Sequence, residues 1–457
     1  MIHLYNTLTR QEDDFQPIKP GHVGIYSCGP TVYGFAHIGN LRAFTIADVL
    51  CRTLRANGLE VKQVMNITDV GHLVGDGDDG EDKMIVAMKR EGKSAWDIAK
   101  FYTDAFFHDV ALINIVPATE YPRATEHIAE QIAMLKDLEK NGFTYRTSDG
   151  IYFDTSKLPD YGKLSRQKSE DKKAGARVDL GEKKNATDFA LWKFSPMNEK
   201  REMEWDSPWG VGFPGWHLEC SAMSKKYLGV PFDIHTGGVD HIAVHHENEI
   251  AQTQGVDGVL EANVWMHNEF LTVDGGKMSK SLGNLYVMQD VRDHNIDPLA
   301  LRYLFLVAHY RTKLNFTWEA LEGAQNALHK LYSIARTLHL PEGDGAGVVL
   351  AGDFLTAINN DLNTPQALAA MWKILDDAYL STNDKASQLL AMDQVLGLGL
   401  ESYIGKPIEV SGEVLELGRQ REAARQAKDW KKSDELRDLI ASKGFTVEDT
   451  PEGQKVH

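Results

Sequence analysis

Three cysteines in 457 residues are too few for a disulfide framework. No run of about 18 apolar residues occurs, so the sequence offers no membrane span. The start, Met1-Ile2-His3-Leu4-Tyr5-Asn6-Thr7, has neither the basic flank nor the apolar stretch of a secretory leader, and a cytoplasmic protein is expected. Internal repeats and low-complexity tracts are also missing. Basic residues are in deficit: 49 Lys and Arg face 66 Asp and Glu, a formal net charge of −17. That balance argues against indiscriminate nucleic-acid binding, but not against an RNA held on a local basic face. What is present is an ordinary globular composition, 42% hydrophobic and 25% charged, in a chain long enough for two or three domains.

Val23 to Cys28 reads as a strand, followed by the breakers Gly29, Pro30 and Gly34. A helix is predicted from about Asn40 to Asn57, stopped by Gly58, and Val61 to Ile67 is the next strand. Such alternation predicts an α/β protein whose parallel sheet binds ligands at the carboxyl ends of its strands. Cys51 sits among Ile46, Val49, Leu50 and Leu54 at helical spacing and reads as core. The acidic run 75–82 misses the ligand spacing of an EF-hand and reads as a solvated loop. Residues 118–215 look like an insertion, with a helix near Ala124–Asn141 and then a polar stretch. The sheet pattern resumes at Phe232-Asp233-Ile234-His235.

Beyond about residue 317 the segments become long and amphipathic. Asn363-Thr364-Pro365 is a helix start, and connections are predicted at 340–345 and 398–412. Arg419 to Lys443 reads as one helix with eight Lys and Arg against five Asp and Glu, beside Trp430 and Phe445. Two readings stand for it: a nucleic-acid contact, or a solvated helix with Trp430 in the core.

Four segments carry chemistry. Ala36-His37-Ile38-Gly39-Asn40 lies where a strand passes into a helix, a place suited to an anion. Gly275 to Asn284 puts Lys277, Lys280, Ser279 and Ser281 between glycines with no carboxylate among them, a polyphosphate clamp by composition that lacks Walker spacing. In His245-His246-Glu247-Asn248-Glu249, His245 and Glu249 share a helix face as a workable metal pair, and His246 with Glu249 is an alternative that spacing does not exclude. Five consecutive polar residues cannot all be buried without partners. Trp216-His217-Leu218-Glu219-Cys220 carries a His-x-Glu, but the Pro-Cys-x-x-Cys that a zinc deaminase needs downstream is missing.

In this order, about 240 residues apart on an α/β pattern, the His37–Asn40 and Lys277–Ser281 segments resemble the HIGH and KMSKS signatures of class I aminoacyl-tRNA synthetases. Ser27 to Tyr33, Trp216–Cys220, His245–Glu249, His309-Tyr310-Arg311, Leu314-Asn315-Phe316 and Lys428-Asp429-Trp430 extend the likeness to cysteinyl-tRNA synthetases over nearly the whole chain. The resemblance implies a Rossmann-type parallel-sheet catalytic domain with a connective insertion, then an α-helical bundle and a small C-terminal anticodon-binding domain. The corresponding divisions are 1–316 (insertion 118–215, signature loop 277–281), 317–400 and 401–457. It implies activation of L-cysteine with ATP and Mg2+ and transfer to tRNA(Cys), by a monomer with one zinc ion.

By the same resemblance, zinc is held by Cys28, Cys220, His245 and Glu249. ATP is contacted by Pro30, His37, Gly39, Asn40 and Lys280, with His37, Asn40, Lys277 and Lys280 serving catalysis. Cysteine is held by Gly29, Thr31, Thr68, Trp216 and His235. The physics is consistent: zinc favours thiolate over hydroxyl, whereas a hydrophobic pocket separates near-isosteres only about 10–200-fold. No editing domain is therefore expected, and the insertion looks too small for one. Zinc affinity is expected to fall at acid pH as its ligands protonate.

Two departures stand out. Asn40 takes the place of the last histidine of the HIGH signature, and still offers a donor. The tail lacks the tryptophan that family members often place near the C-terminus for anticodon contact. Two rivals are a cysteine ligase of the mycothiol pathway, which generally lacks a region like 401–457, and a catalytically silent tRNA-binding zinc module. The intact signatures argue against the second.

Overall fold

The computed structural model describes residues 1–72, 82–166, 181–196, 201–279, 282–340, 350, 352–406, 412–442, 445, 447–450 and 453–456. The chain divides into two compact units. One comprises Met1–Gln325, Leu350–Trp372 and Gln394–Leu398, the other Asn326–Val349, Lys373–Asp393 and Gly399–His457. Among the described residues no helix is long and apolar enough to cross a membrane.

The first unit is built on four parallel strands in the order Ala262–Asn268, Phe232–Gly238, His22–Ser27, Glu60–Met65. Alternation along the strands sends side chains to two cores. Val23 and Ile25 join Ile46, Leu50, Cys51 and Leu54 of the helix Ile38–Ala56. Tyr26, Val64 and Trp265 join Cys220, Met223 and Ile250 of the helices Trp216–Leu228 and His245–Asp257. Both faces are thus covered, as a parallel sheet requires, and the apolar side chains alternate between them while polar residues such as His235 and His267 gather toward the carboxyl ends. Each fully buried Leu or Ile contributes about 1.5–3 kcal/mol. From His22–Ser27 the chain builds to one side with Glu60–Met65 and later to the other with Phe232–Gly238. The crevice beyond Ser27 is therefore the switch point of the sheet, where ligands of such folds lie.

The helix starts at Ile38, two residues ahead of the predicted Asn40, because His37 caps it. The imidazole of His37 accepts from the Asn40 amide at 3.2 Å, and the carboxamide of Asn40 accepts from the His37 amide at 3.2 Å. Of the acidic run only Asp82 is described, and there the solvated reading fails. Asp82 is 4% exposed, caps the helix Lys83–Glu91 through the amides of Met84 and Ile85, and pairs with Arg201. Residues 75–81 lie outside the described residues.

The insertion holds more order than its polar composition suggests. After the short turn Ala124–His127 and the helix Ile128–Lys140 comes an antiparallel sheet, Thr144–Arg146, Gly150–Phe153, Phe189–Phe194 and Gly212–Pro214. Phe153, Phe189, Leu191 and Trp192 pack with Leu218 and Ala251, so this sheet braces the two helices that bear Cys220 and His245.

The helix Thr364–Asp376 begins at its predicted Asn-Thr-Pro start. The single helix expected over 419–443 is two, Gly412–Gln426 and Trp430–Ser442, broken where Lys428 takes a φ of 61°. Trp430 is 57% exposed with the Arg425 guanidinium 5.7 Å from its ring, which corrects the core placement. A hairpin, Val447–Thr450 with Gly453–Val456, follows and is held by Arg421 to Asp449 and Gln454.

Candidate active site

The polar run His245–Glu249 is wholly buried, and each of its residues has a partner. Glu247 accepts from the amides of Gly162, Leu164 and Ser165 in the insertion, and Asn248 accepts from the Tyr161 hydroxyl. His246 Nδ1 lies 2.8 Å from His267 Nε2, and His267 Nδ1 lies 2.8 Å from Thr7 Oγ1. His245 Nδ1 is 2.8 Å from His217 Nδ1, which turns Nε2 of His245 toward Glu249 Oε1 at 2.9 Å. Glu249 Oε2 lies 2.9 Å from His235 Nε2.

Around this helix end, ligand atoms of Cys28, Cys220, His245 and Glu249 all lie within 4.8 Å of one another. Cys28 follows the central strand, and Cys220 lies one turn into its helix. Glu249 Oε1 makes no well-formed hydrogen bond, although it is buried against an imidazole. An orphaned carboxylate oxygen beside two thiols and a ring nitrogen fits a divalent cation, and two sulfurs in the donor set favour zinc. A second set overlaps the first: Cys28, His235, His246 and Glu249 meet the same distance limit. In it His246 Nε2 sits 3.2 Å from Cys28 Sγ.

The electrostatics of the two sets differ. Burial pushes the Cys28 thiol up to about 11, and its bond to Cys28 together with burial pushes Cys220 well above the usual range. For Glu249, burial is outweighed by His235 and His245, which hold the carboxyl well below the ordinary value. Burial also opposes a charge on His245, yet Glu249 and Cys220 raise it well above a free imidazole. His217, His246 and His267 are pushed well down, by burial first and neighbouring imidazoles second, and stay neutral. Cation binding at the first set must therefore expel thiol protons.

Of the residues assigned to cysteine, Trp216 and His235 touch the cluster, and Gly29 and Thr31 follow Cys28 in the chain, Thr31 beside Thr68. Gly29 is forced: a Cβ there would stand 1.7 Å from the Asn66 carbonyl oxygen, and the Gly29 amide donates to Asn66 Oδ1 at 2.9 Å. Pro30 and Val32 exchange backbone bonds with Thr68, which sets Thr31 beside Thr68. The Trp216 ring lies 4.7 Å from that of His245. His235 is fully buried on its strand, against Glu249. Lys83, which sequence reasoning did not single out, holds its ammonium 5.4 Å from the Trp216 ring and 5.6 Å from that of Tyr33.

His37, Gly39 and Asn40 occupy the first turn of their helix, next to the second signature. The Ile38 amide donates to the Tyr286 carbonyl at 2.9 Å, and a Cβ on Gly39 would meet Met278 Cε at 3.0 Å. Lys277 is exposed, and Asn284 closes the loop by accepting from the Ser279 amide and donating to the Lys277 carbonyl. Lys280 lies outside the described residues. His246 was weighed as an alternative ligand beside Glu249, whereas His217 and His267 were missed as partners in the cluster. The available signal was histidine density near Cys220 and Glu249.

Residues 14–326 match the family described as tRNA synthetases class I (C) catalytic domain, and residues 409–456 match the Cysteinyl-tRNA ligase anticodon binding domain. Among solved structures, a leucyl enzyme of Agrobacterium radiobacter K84 in a ternary complex shares the fold at a TM-score of 0.57 and 12% identity, covering 85% of both chains. Methionyl-tRNA synthetase of Mycobacterium tuberculosis does so at 0.52 and 14%, covering 87% of this chain and 94% of the other. The class is thus that of a class I aminoacyl-tRNA synthetase.

Cysteine--tRNA ligase 1 of Burkholderia lata is 51% identical over 100% of this chain and 96% of its own. The ligases of Treponema denticola and Thermus thermophilus are 42% and 41% identical, each covered over 98% of its length. The chain belongs to the cysteine--tRNA ligase family.

Proposed function

We propose that this chain activates L-cysteine with Mg2+-ATP and passes it to the 3′ end of tRNA(Cys), acting as a cytoplasmic monomer. The observation that carries the substrate is the pair of thiols beside His245 and Glu249 at the switch point of the sheet. Zinc bound by Cys28, Cys220, His245 and Glu249 supplies a soft Lewis acid for the substrate thiolate, which a serine hydroxyl matches poorly. Both imidazoles have their Nδ1 engaged by another histidine, and His245 is favoured over His246 because the His245 set contributes two sulfurs.

The chain's own residues do the rest. Gly29, Thr31, Thr68, Trp216 and His235 enclose the amino acid and exclude water. The helix end at His37, Gly39 and Asn40 faces the phosphates of ATP with its positive pole, and Pro30 is the further ATP contact. Lys277 and Lys280 offset charge that develops on the departing diphosphate. Division at 1–316, 317–400 and 401–457 assigns chemistry, bundle and anticodon reading in turn, and the match at 409–456 supports the last.

The test has two arms. Cysteine-dependent ATP–pyrophosphate exchange, lost on chelation and restored by zinc, reports activation. Charging of a transcript with a GCA anticodon separates this reading from amino-sugar ligation. Exchange without charging would sink the tRNA assignment. Hydrolysis of serine mischarged onto that tRNA would refute selection without editing.

A further inference from the structure

Arg42 lies one turn into the helix that His37 caps, and none of its side chain reaches solvent. Its guanidinium donates to four backbone carbonyls. Nη1 donates to Glu269 at 2.7 Å and Phe270 at 3.0 Å; Nη2 donates to Thr312 at 2.7 Å and His309 at 3.3 Å. Burial lowers its pKa to about 10, with Glu269 pulling the other way, so it stays charged at neutral pH. An apolar residue would fill such a position without the desolvation of a charge. What an apolar residue lacks is a planar fork that joins two separate backbone segments at once.

Those segments belong to the stem of the Lys277 loop. Glu269 and Phe270 run into the strand Leu271–Val273, and His309 to Thr312 run into Leu314–Phe316. The two strands pair in parallel, Leu271 with Leu314 and Val273 with Phe316. Leu271–Val273 leads directly into the loop. At the other end, Tyr286 accepts from the Ile38 amide and Val287 bridges His37. The helix thus holds the exit of the loop with its first turn and the entry with Arg42.

We propose that Arg42 is a positioning residue for cysteine activation: it ties the entry stem of the 277–284 loop to the helix bearing His37 and Asn40, and so sets the separation of the two segments that face ATP. The proposal rests on the assignment of those segments to ATP made above. A shift of about 1 Å in such a frame is enough to cost on the order of 100-fold in rate.

Exchange by the unaltered enzyme tests the ATP assignment itself; its absence would fail that reading, not this one. Arg42→Lys and Asn315→Ala then test the tie. Asn315 is exposed, and its side-chain oxygen accepts from the Gly275 amide at 2.7 Å and from the Thr272 hydroxyl at 3.1 Å, so its loss loosens the same stem without touching the core. Arg302→Lys is the control. Arg302 is equally buried and pairs with Asp48 of the same helix, but the carbonyls of Ile113 and Leu396 to which it donates lie outside the stem of the loop.

The readouts, per mole of active sites, are kcat of exchange, KM for cysteine, and single-turnover transfer from preformed cysteinyl-adenylate to tRNA. Arg42→Lys is expected to lower exchange about 10–100-fold, and Asn315→Ala about 3–10-fold. For both, KM for cysteine stays within about 2-fold and transfer is unchanged. Arg302→Lys lowers thermal stability and leaves the ratio of activation to transfer where it was. Equal losses in activation and transfer for Arg42→Lys overturn the proposal, as does the same altered ratio in Arg302→Lys. Should Arg42→Lys fail to fold, Asn315→Ala decides alone, and unchanged exchange in it overturns the proposal.

Discussion

The helices His245–Asp257 and Trp430–Ser442 are both polar in sequence and opposite in environment. In the first, His245 through Glu249 are buried, and their partners come from far along the chain, including Tyr161, His217, His235 and His267. In the second, Trp430, Lys431 and Lys432 face solvent. Polar groups are kept out of water only where others converge on them, so the first helix is specialised for what its cluster holds. The second presents charge of both signs and an aromatic ring outward, with Lys432 beside Glu435 and Arg437 beside Asp434.

The contrast is broken most severely at Cys220. Cys220→Ser is expected to lose zinc and to lower kcat/KM for cysteine in exchange by about 10³-fold, or about 4 kcal/mol. Metal analysis and exchange together check it. Full zinc content with near-native exchange would move the centre to the overlapping set with His235 and His246. His246→Gln, by the same reasoning, keeps its metal.

At the other helix the effect is smaller and of a different kind. Trp430→Ala combined with Lys431→Ala and Lys432→Ala is expected to raise KM for tRNA about 10-fold and to flatten its salt dependence. Exchange without tRNA stays unchanged; a parallel drop in exchange would mean that the segment serves folding rather than recognition.

The smallest effect concerns Asp109, 8% exposed on the helix Ala95–Leu112. Burial pushes its carboxyl up to about 6 against the pull of His108 and Arg292. A group whose folded pKa is raised favours its protonated form in the fold, so stability falls as pH rises from about 4 to about 6. Asp109→Asn removes that loss and is expected to add about 1 kcal/mol at pH 7.5 and almost nothing at pH 4, read from denaturant unfolding at both values. A gain equal at both would mean that ionisation is not its source.

The start of the chain was legible because Gly29, Pro30 and Gly58 punctuate it and the apolar periods between them are clean. The insertion sheet was not. Its strands are three to six residues long, and their apolar side chains are completed by Leu218 and Ala251, far along the chain. The thiols and the polar run at 245–249 stood out as residue types, but spacing does not reveal that His267 meets His246 or that His217 meets His245. Arg42 was invisible for the same reason. Nothing local shows that an arginine one turn into a helix points inward, toward carbonyls 227 to 270 positions away.

The mutual cap of His37 and Asn40 bears on how selectively that helix end takes up a ligand. The amides of both residues already have side-chain acceptors. An anion arriving there replaces one acceptor with another, so the count of hydrogen bonds changes little. What the newcomer adds is charge against the positive pole of the helix. A lone monoanion gains little by that exchange, and a polyanion gains in proportion to its charge. If the nucleotide is taken up there as proposed, that end would choose by charge density rather than by shape.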